Sequence, residues 1–158
     1  MKPDKKVFTV SEALEKARKL CAKQERSHQY IRNKLYDWGI GHEHIEPIIA
    51  QLISEDFLNE ERFVKAFAIG KFHQLRWGKQ KIYVGLQKQK IDKRQILRGL
   101  AEIPDDEYLE TLKTLFEKKQ KQVKSKNQFI KNKRIANYLI SKGFESYLVW
   151  DIIRKSVN

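Results

Sequence analysis

The sequence predicts an all-α protein built from three tandem three-helix repeats. Apolar residues recur at three- and four-residue steps, the period of one helix face, and strand-like alternation never persists. Only three prolines and seven glycines interrupt the 158 residues. One apolar spacing also occurs three times, anchored at a turn on Ile40, Ile91 and Phe144. Nine residues before each anchor stand Ile31, Ile82 and Ile135, and five before stand Leu35, Leu86 and Leu139. Five after come Ile45, Ile96 and Val149, and nine after Ile49, Leu100 and Ile153.

The first helix starts near Ser11. Thr9 and Glu12 have capping-box spacing, and Phe8 is placed to staple against Ala13. Its apolar side is Ala13, Leu14, Ala17, Leu20 and Cys21. The next helix carries Ile31 and Leu35 and stops at Gly39, a residue suited to the left-handed backbone that ends helices; Trp38 covers the turn. A third helix carries Ile45 and Ile49. The pattern restarts near Asn59 ("NEERFVKAFAIGKF") and near Asp105 or Asp106 ("DDEYLETLKTLFEKK"). There Asn or Asp suits the N-cap, and the acids that follow suit the positive end of the helix dipole. In the second repeat Lys90 stands where the others have Gly39 and Gly143, so that helix ends less comfortably; Asp92 and Gln95 then supply a capping box. Trp150 follows Val149 and packs at the edge of the last hairpin. The expected organisation is an arm at 1–10 and repeats at 11–58, 59–104 and 105–158. Units of about 50 residues bury too little surface to stand alone, so they stack into an elongated, curved array.

The formal charge is +13 and the pI 9.8, which points to a polyanionic partner. Between Lys71 and Arg98 nine basic residues face only Asp92, and Lys118–Lys142 holds nine more and no acid. A solvated helix face is the ordinary reading of a charge run. Helices normally pair opposite charges at i,i+4, however, and an acid-free stretch that long forgoes such pairs. The expected binding stripe comprises Arg32, Lys34, Arg62, Lys71, Arg76, Lys79, Lys81, Lys88, Lys90, Lys126, Lys131, Lys133 and Arg134. Trp77, in "LRWGKQK", is placed either to stack against a base or to fill a pocket.

Catalytic chemistry is not indicated. His42 and His44 form an HxH pair, read as lying in a loop, with no third ligand at metal-site spacing. "GIGH" lacks the pattern of a phosphate loop, and Cys21 sits on an apolar helix side. Neither an enzyme, a metal nor a cofactor is expected. No stretch approaches the ~20 apolar residues of a membrane span. "MKPDKKVFTVSEALEKARK" has no apolar core behind its basic residues, so it reads as neither signal peptide nor anchor. One cysteine excludes an intramolecular disulfide framework and fits a cytoplasmic protein.

Over essentially its whole length the sequence resembles the RecX family of recombinase regulators. The most specific stretch is "ISEDFLNEERFVKAFAIGKFHQLRWGKQKIYVGLQKQKI". Arg62 and Phe63 match the family's Arg-Phe pair, and Gly78, Ile82, Leu86 and Ile91 match its connector and following helix. Gln80, Lys81 and the pair Val84–Gly85 depart from it where arginine or polar residues are common. The resemblance implies three tandem three-helix repeats and a cytoplasmic regulator of DNA repair, recombination and the SOS response; a monomer is expected. It further implies binding in the groove of the RecA filament, inhibition of strand exchange, ATP hydrolysis and coprotease activity, and weak phosphate contacts to single- or double-stranded DNA. A RecA-independent nucleic-acid-binding module is the alternative, with turns such as "WGIG" imitating helix-turn-helix units. A helical scaffold for an acidic protein also fits the composition.

Overall fold

Every residue of the threefold apolar pattern is buried, from Ile31, Leu35, Ile82 and Leu86 at 0% exposure to Ile45 at 9%. The period seen in the sequence is therefore the inward stripe of successive helices. In the computed structural model, which describes residues 7–156, these helices are α1 (Val10–Lys23), α2 (His28–Asp37), α3 (His42–Ser54), α4 (Glu60–Leu75), α5 (Lys79–Lys88), α6 (Lys93–Leu100), α7 (Asp105–Gln122), α8 (Gln128–Ser141) and α9 (Ser146–Ser156). No strand occurs among the described residues. The fold is all-α, in helix triplets: α1 and α2 pack on α3, α5 on α6, and α7 and α8 on α9.

The chain forms two compact units. One contains the residues up to Ala66 together with Gln89–Ile91, and the other contains Phe67–Lys88 and the residues from Asp92 onward. In the first unit α1 opens on the expected capping box: the Thr9 hydroxyl accepts from the Glu12 N–H, and the Glu12 carboxylate from the Thr9 N–H. Residues 1–6 of the expected arm lie outside the described residues. Phe8 packs against the core of α1–α3, donates its N–H to the Trp38 carbonyl (3.1 Å) and meets the Trp38 ring edge-on. Burial raises the pKa of the Cys21 thiol, which suits a packing residue.

Three local expectations need correction. His42 and His44 lie in the first turn of α3, where residues two apart do not share a face. Asp92 does cap α6, accepting the Gln95 N–H at 3.0 Å, but Gln95 Oε1 is buried without a partner, so only half of the capping box forms. Finally, α7 is preceded by Pro104, with Asp105 as its first residue and no side-chain cap. Asn59 behaves as expected, accepting the Arg62 N–H at 2.9 Å.

The helix ends adopt the backbone expected of them. Gly39 and Gly143 have φ of 79° and 103°, and Lys90 is forced to φ 58°. Asp56 and Arg76 are left-handed as well.

Candidate polyanion-binding site

The site lies in the second unit, where the α4–α5 connector meets the turn between α8 and α9. The connector "RWG" turns the chain through a left-handed Arg76. Gly78 then donates its N–H to the Lys142 carbonyl (2.8 Å), and Gln80 donates to the Gly143 carbonyl (2.9 Å). The two backbones touch so closely that a Cβ on Gly78 would stand 2.2 Å from the Gly143 carbonyl carbon. A second tie holds the start of α5. Buried Tyr108 accepts the Lys79 N–H (3.0 Å) and donates its hydroxyl to Glu145, while its ring packs between Phe72 and Phe144. Burial, then the bond to Glu145, raises the pKa of the Tyr108 hydroxyl.

This joint gathers cations around one aromatic. Trp77 is half-buried, edge-on to Phe67, with the Lys71 ammonium 5.1 Å and the Lys81 ammonium 4.7 Å from its ring centroid. Gly85 lets Phe67 approach α5, since a Cβ there would lie 2.9 Å from the Phe67 ring. Lys142 reaches across to donate to the Leu75 carbonyl at the end of α4 (2.8 Å), where the helix dipole favours a cation. Its pKa is lowered, first by desolvation and then by repulsion from Lys81 and Arg76. Among the described residues, no carboxylate ion-pairs with Lys71, Arg76, Lys81 or Lys142. Such a cluster of like charges is relieved by an anion.

The other expected site residues are placed differently. Lys79 turns back over the Tyr108 ring (4.8 Å) and towards Asp105 (3.8 Å). Lys88 and Lys90 are exposed around the end of α5. Lys126 and Lys131 line a groove beside the α7–α8 connector, and Lys133 and Arg134 are exposed on α8. In the first unit Lys34 lies 5.4 Å from the Tyr30 ring centroid. Arg32 there is engaged by Glu46 through two bonds of 2.6 and 3.2 Å, which lower the carboxyl pKa. Arg62 bonds to Glu25 (2.9 Å), to the Asp56 carboxylate (2.7 Å) and to the Asp56 carbonyl, bracing that left-handed turn. These two arginines face acids of their own chain. Lys142 was not singled out as a site residue, because only the fold brings it to a connector more than 60 residues earlier.

No group of three or more metal-ligating side chains occurs among the described residues, and no described helix is long and apolar enough to cross a membrane. Fold and site define an all-helical repeat protein with an unpaired cationic joint. Residues 105–153 match the third three-helix domain of RecX. The chain is 27% identical over 135 residues to the regulatory protein RecX of Caldanaerobacter subterraneus subsp. tengcongensis, covering 85% of this chain and 65% of that protein. It is also 27% identical over 131 residues to that of Oceanobacillus iheyensis, covering 82% and 48%. It thus spans roughly half to two thirds of the curated relatives' length. The crystal structure of RecX from Lactobacillus salivarius superposes with a TM-score of 0.82 at 24% identity, over 92% of this chain and 95% of that one. A second RecX crystal structure gives 0.80 at 19% identity, over 92% and 73%. Residues 105–153 thus match a RecX domain, and the chain as a whole is similar to RecX regulatory proteins and shares their fold.

Proposed function

We propose that the chain is a non-catalytic, monomeric cytoplasmic regulator that binds the RecA filament in its helical groove and inhibits recombinase, ATPase and coprotease activity. Similarity to RecX regulatory proteins over 85% and 82% of the chain supports this reading. The observation that carries it is the cation cluster at the joint, Lys71 and Lys81 over Trp77 with Lys81 and Arg76 close enough to Lys142 to lower its pKa, and no carboxylate ion-paired to any of the four among the described residues. Repeats at 11–58, 59–104 and 105–158 engage successive protomers, so contacts weak singly become strong together. Lys88, Lys90, Lys133 and Arg134, all exposed, are the further cations assigned to binding in this reading. DNA phosphates contribute weakly. Arg32 and Arg62 are positioning residues in this scheme, since their charge is met internally.

The test is titration of the chain against RecA's DNA-dependent ATPase. Reversing charge at the joint (K71E with K81E) is expected to raise the half-inhibitory concentration by about tenfold. Unchanged potency overturns the assignment of the site. The exposed edge of Trp77 between two lysines also favours RecA-independent binding of single-stranded nucleic acid. Oligonucleotide binding across a salt series without RecA separates the two. Tight binding at physiological salt supports this second reading, whereas weak and steeply salt-sensitive binding supports the first.

A further inference from the structure

The second helix of each triplet is set by the same core positions, yet α8 begins a turn early. Ile31 and Ile82 are the fourth residues of α2 and α5, each 10 residues long, whereas Ile135 is the eighth of a 14-residue α8. The helix before it is also the longest of its kind, 18 residues in α7 against 14 in α1 and 16 in α4. The third triplet therefore carries an extension made of the end of α7, residues 123–127 and the first turn of α8. No residue from Glu117 to Arg134 is buried, so the extension contributes nothing to the core. It is nevertheless ordered by its own polar contacts: Asn127 caps α8 and receives a bond from Gln128's helix turn neighbour Ile130 through its N–H (3.2 Å), and Ser125 accepts the Asn127 N–H (3.2 Å).

Two features of the extension ask for a partner. Lys121, Val123, Lys124, Lys126 and Lys131 line an open groove of about 790 Å³. The same turn of α8 holds Phe129 at 73% exposure and Ile130 at 42%. A run of lysines kept only for solubility has no use for a neighbouring exposed Phe-Ile pair.

We propose that this extension is a docking surface for an acidic protein segment bearing apolar side chains, carboxylates facing the groove lysines and an apolar residue covering Phe129 and Ile130. Charge complementarity sets the sign of the partner, because no acid lies between Lys118 and Lys142. All the cations from Lys118 to Lys131 are lysines, point charges that lack the planar fork with which arginine grips phosphates and base edges. Base stacking could occupy Phe129 but would leave Ile130 and Val123 in water. The surface does not depend on RecA being the partner, and it is separate in composition from the Trp77 joint.

The experiment uses the full chain and a fluorescein-labelled peptide of Asp and Glu interspersed with Leu and Phe, read by anisotropy. Expected is saturable binding, weakened about tenfold when serines replace the peptide's apolar residues. F129S, and separately K124E with K126E, should each weaken it by a similar factor. Both variants change only exposed side chains, and an unchanged melting temperature confirms their folding. K71E with K81E should leave peptide binding intact. The proposal is overturned if both peptides bind alike, or if the extension variants bind as the parent does. It is equally overturned if F129S impairs binding of oligothymidylate or phosphatidylglycerol vesicles while sparing the peptide.

Discussion

Lys142 shows how a single side chain reports on its site. Its ammonium is partly desolvated against the end of α4 and faces Lys81 and Arg76, so its pKa falls below the ordinary lysine value. Between those two values the unfolded chain holds a proton that the native chain has lost. Native stability therefore rises with pH across that window, below the usual lysine range. Lys81→Gln should move the Lys142 pKa back up, as should phosphate bound at the joint. NMR of the reductively methylated protein measures both shifts, and a pKa indifferent to either change would show that Lys142 does not sense the cluster. None of this was legible at Lys142 itself, which in the sequence is one of nine basic residues in an acid-free run.

At the scale of elements, the joints between helices matter most. In the first unit the Ser27 hydroxyl, at the start of α2, donates to Gln89 in the turn after α5 (2.5 Å). In the second, Gly78 at the start of α5 docks on the turn after α8. The same relation between a second helix and the following triplet thus occurs twice, once through side chains and once through backbone. Gly78→Ala would drive a methyl into the Gly143 backbone and should cost roughly 2–4 kcal/mol in denaturant unfolding. A neutral outcome would mean that the connector does not sit on that turn. Lys90→Gly should do the reverse. Relief of its left-handed backbone at φ 58° should stabilise the chain by about 0.5–1 kcal/mol, part of the gain being offset by glycine's freedom when unfolded. The sequence marked Lys90 as an awkward helix end through comparison with Gly39 and Gly143. It could not mark Gly78 as a contact, because its partner residue is remote in the chain.

For the whole molecule, the excess charge divides into cations with internal partners and cations without. Arg62→Met should lower the melting temperature by unbracing the Asp56 turn, yet leave the proposed inhibition of RecA unchanged per folded molecule. K71E with K81E should do the opposite, sparing stability and weakening inhibition, with a shallower dependence on salt. Calorimetry paired with ATPase titration distinguishes the two. Loss of inhibition in Arg62→Met at full folding would return Arg62 to the binding surface. The net charge of +13 alone makes no such division.

By itself the sequence determined the helices, their threefold repetition and their buried stripes, because 3.6-residue periodicity, caps and helix-ending glycines are local and each position carries its own signal. Its net charge of +13 set the expectation of a polyanionic partner. Which cations remain available was decided only by tertiary structure. A guanidinium paired with Glu25 and an ammonium stacked on Trp77 look alike in one dimension, and the carboxylate or ring that separates them arrives from a distant part of the chain.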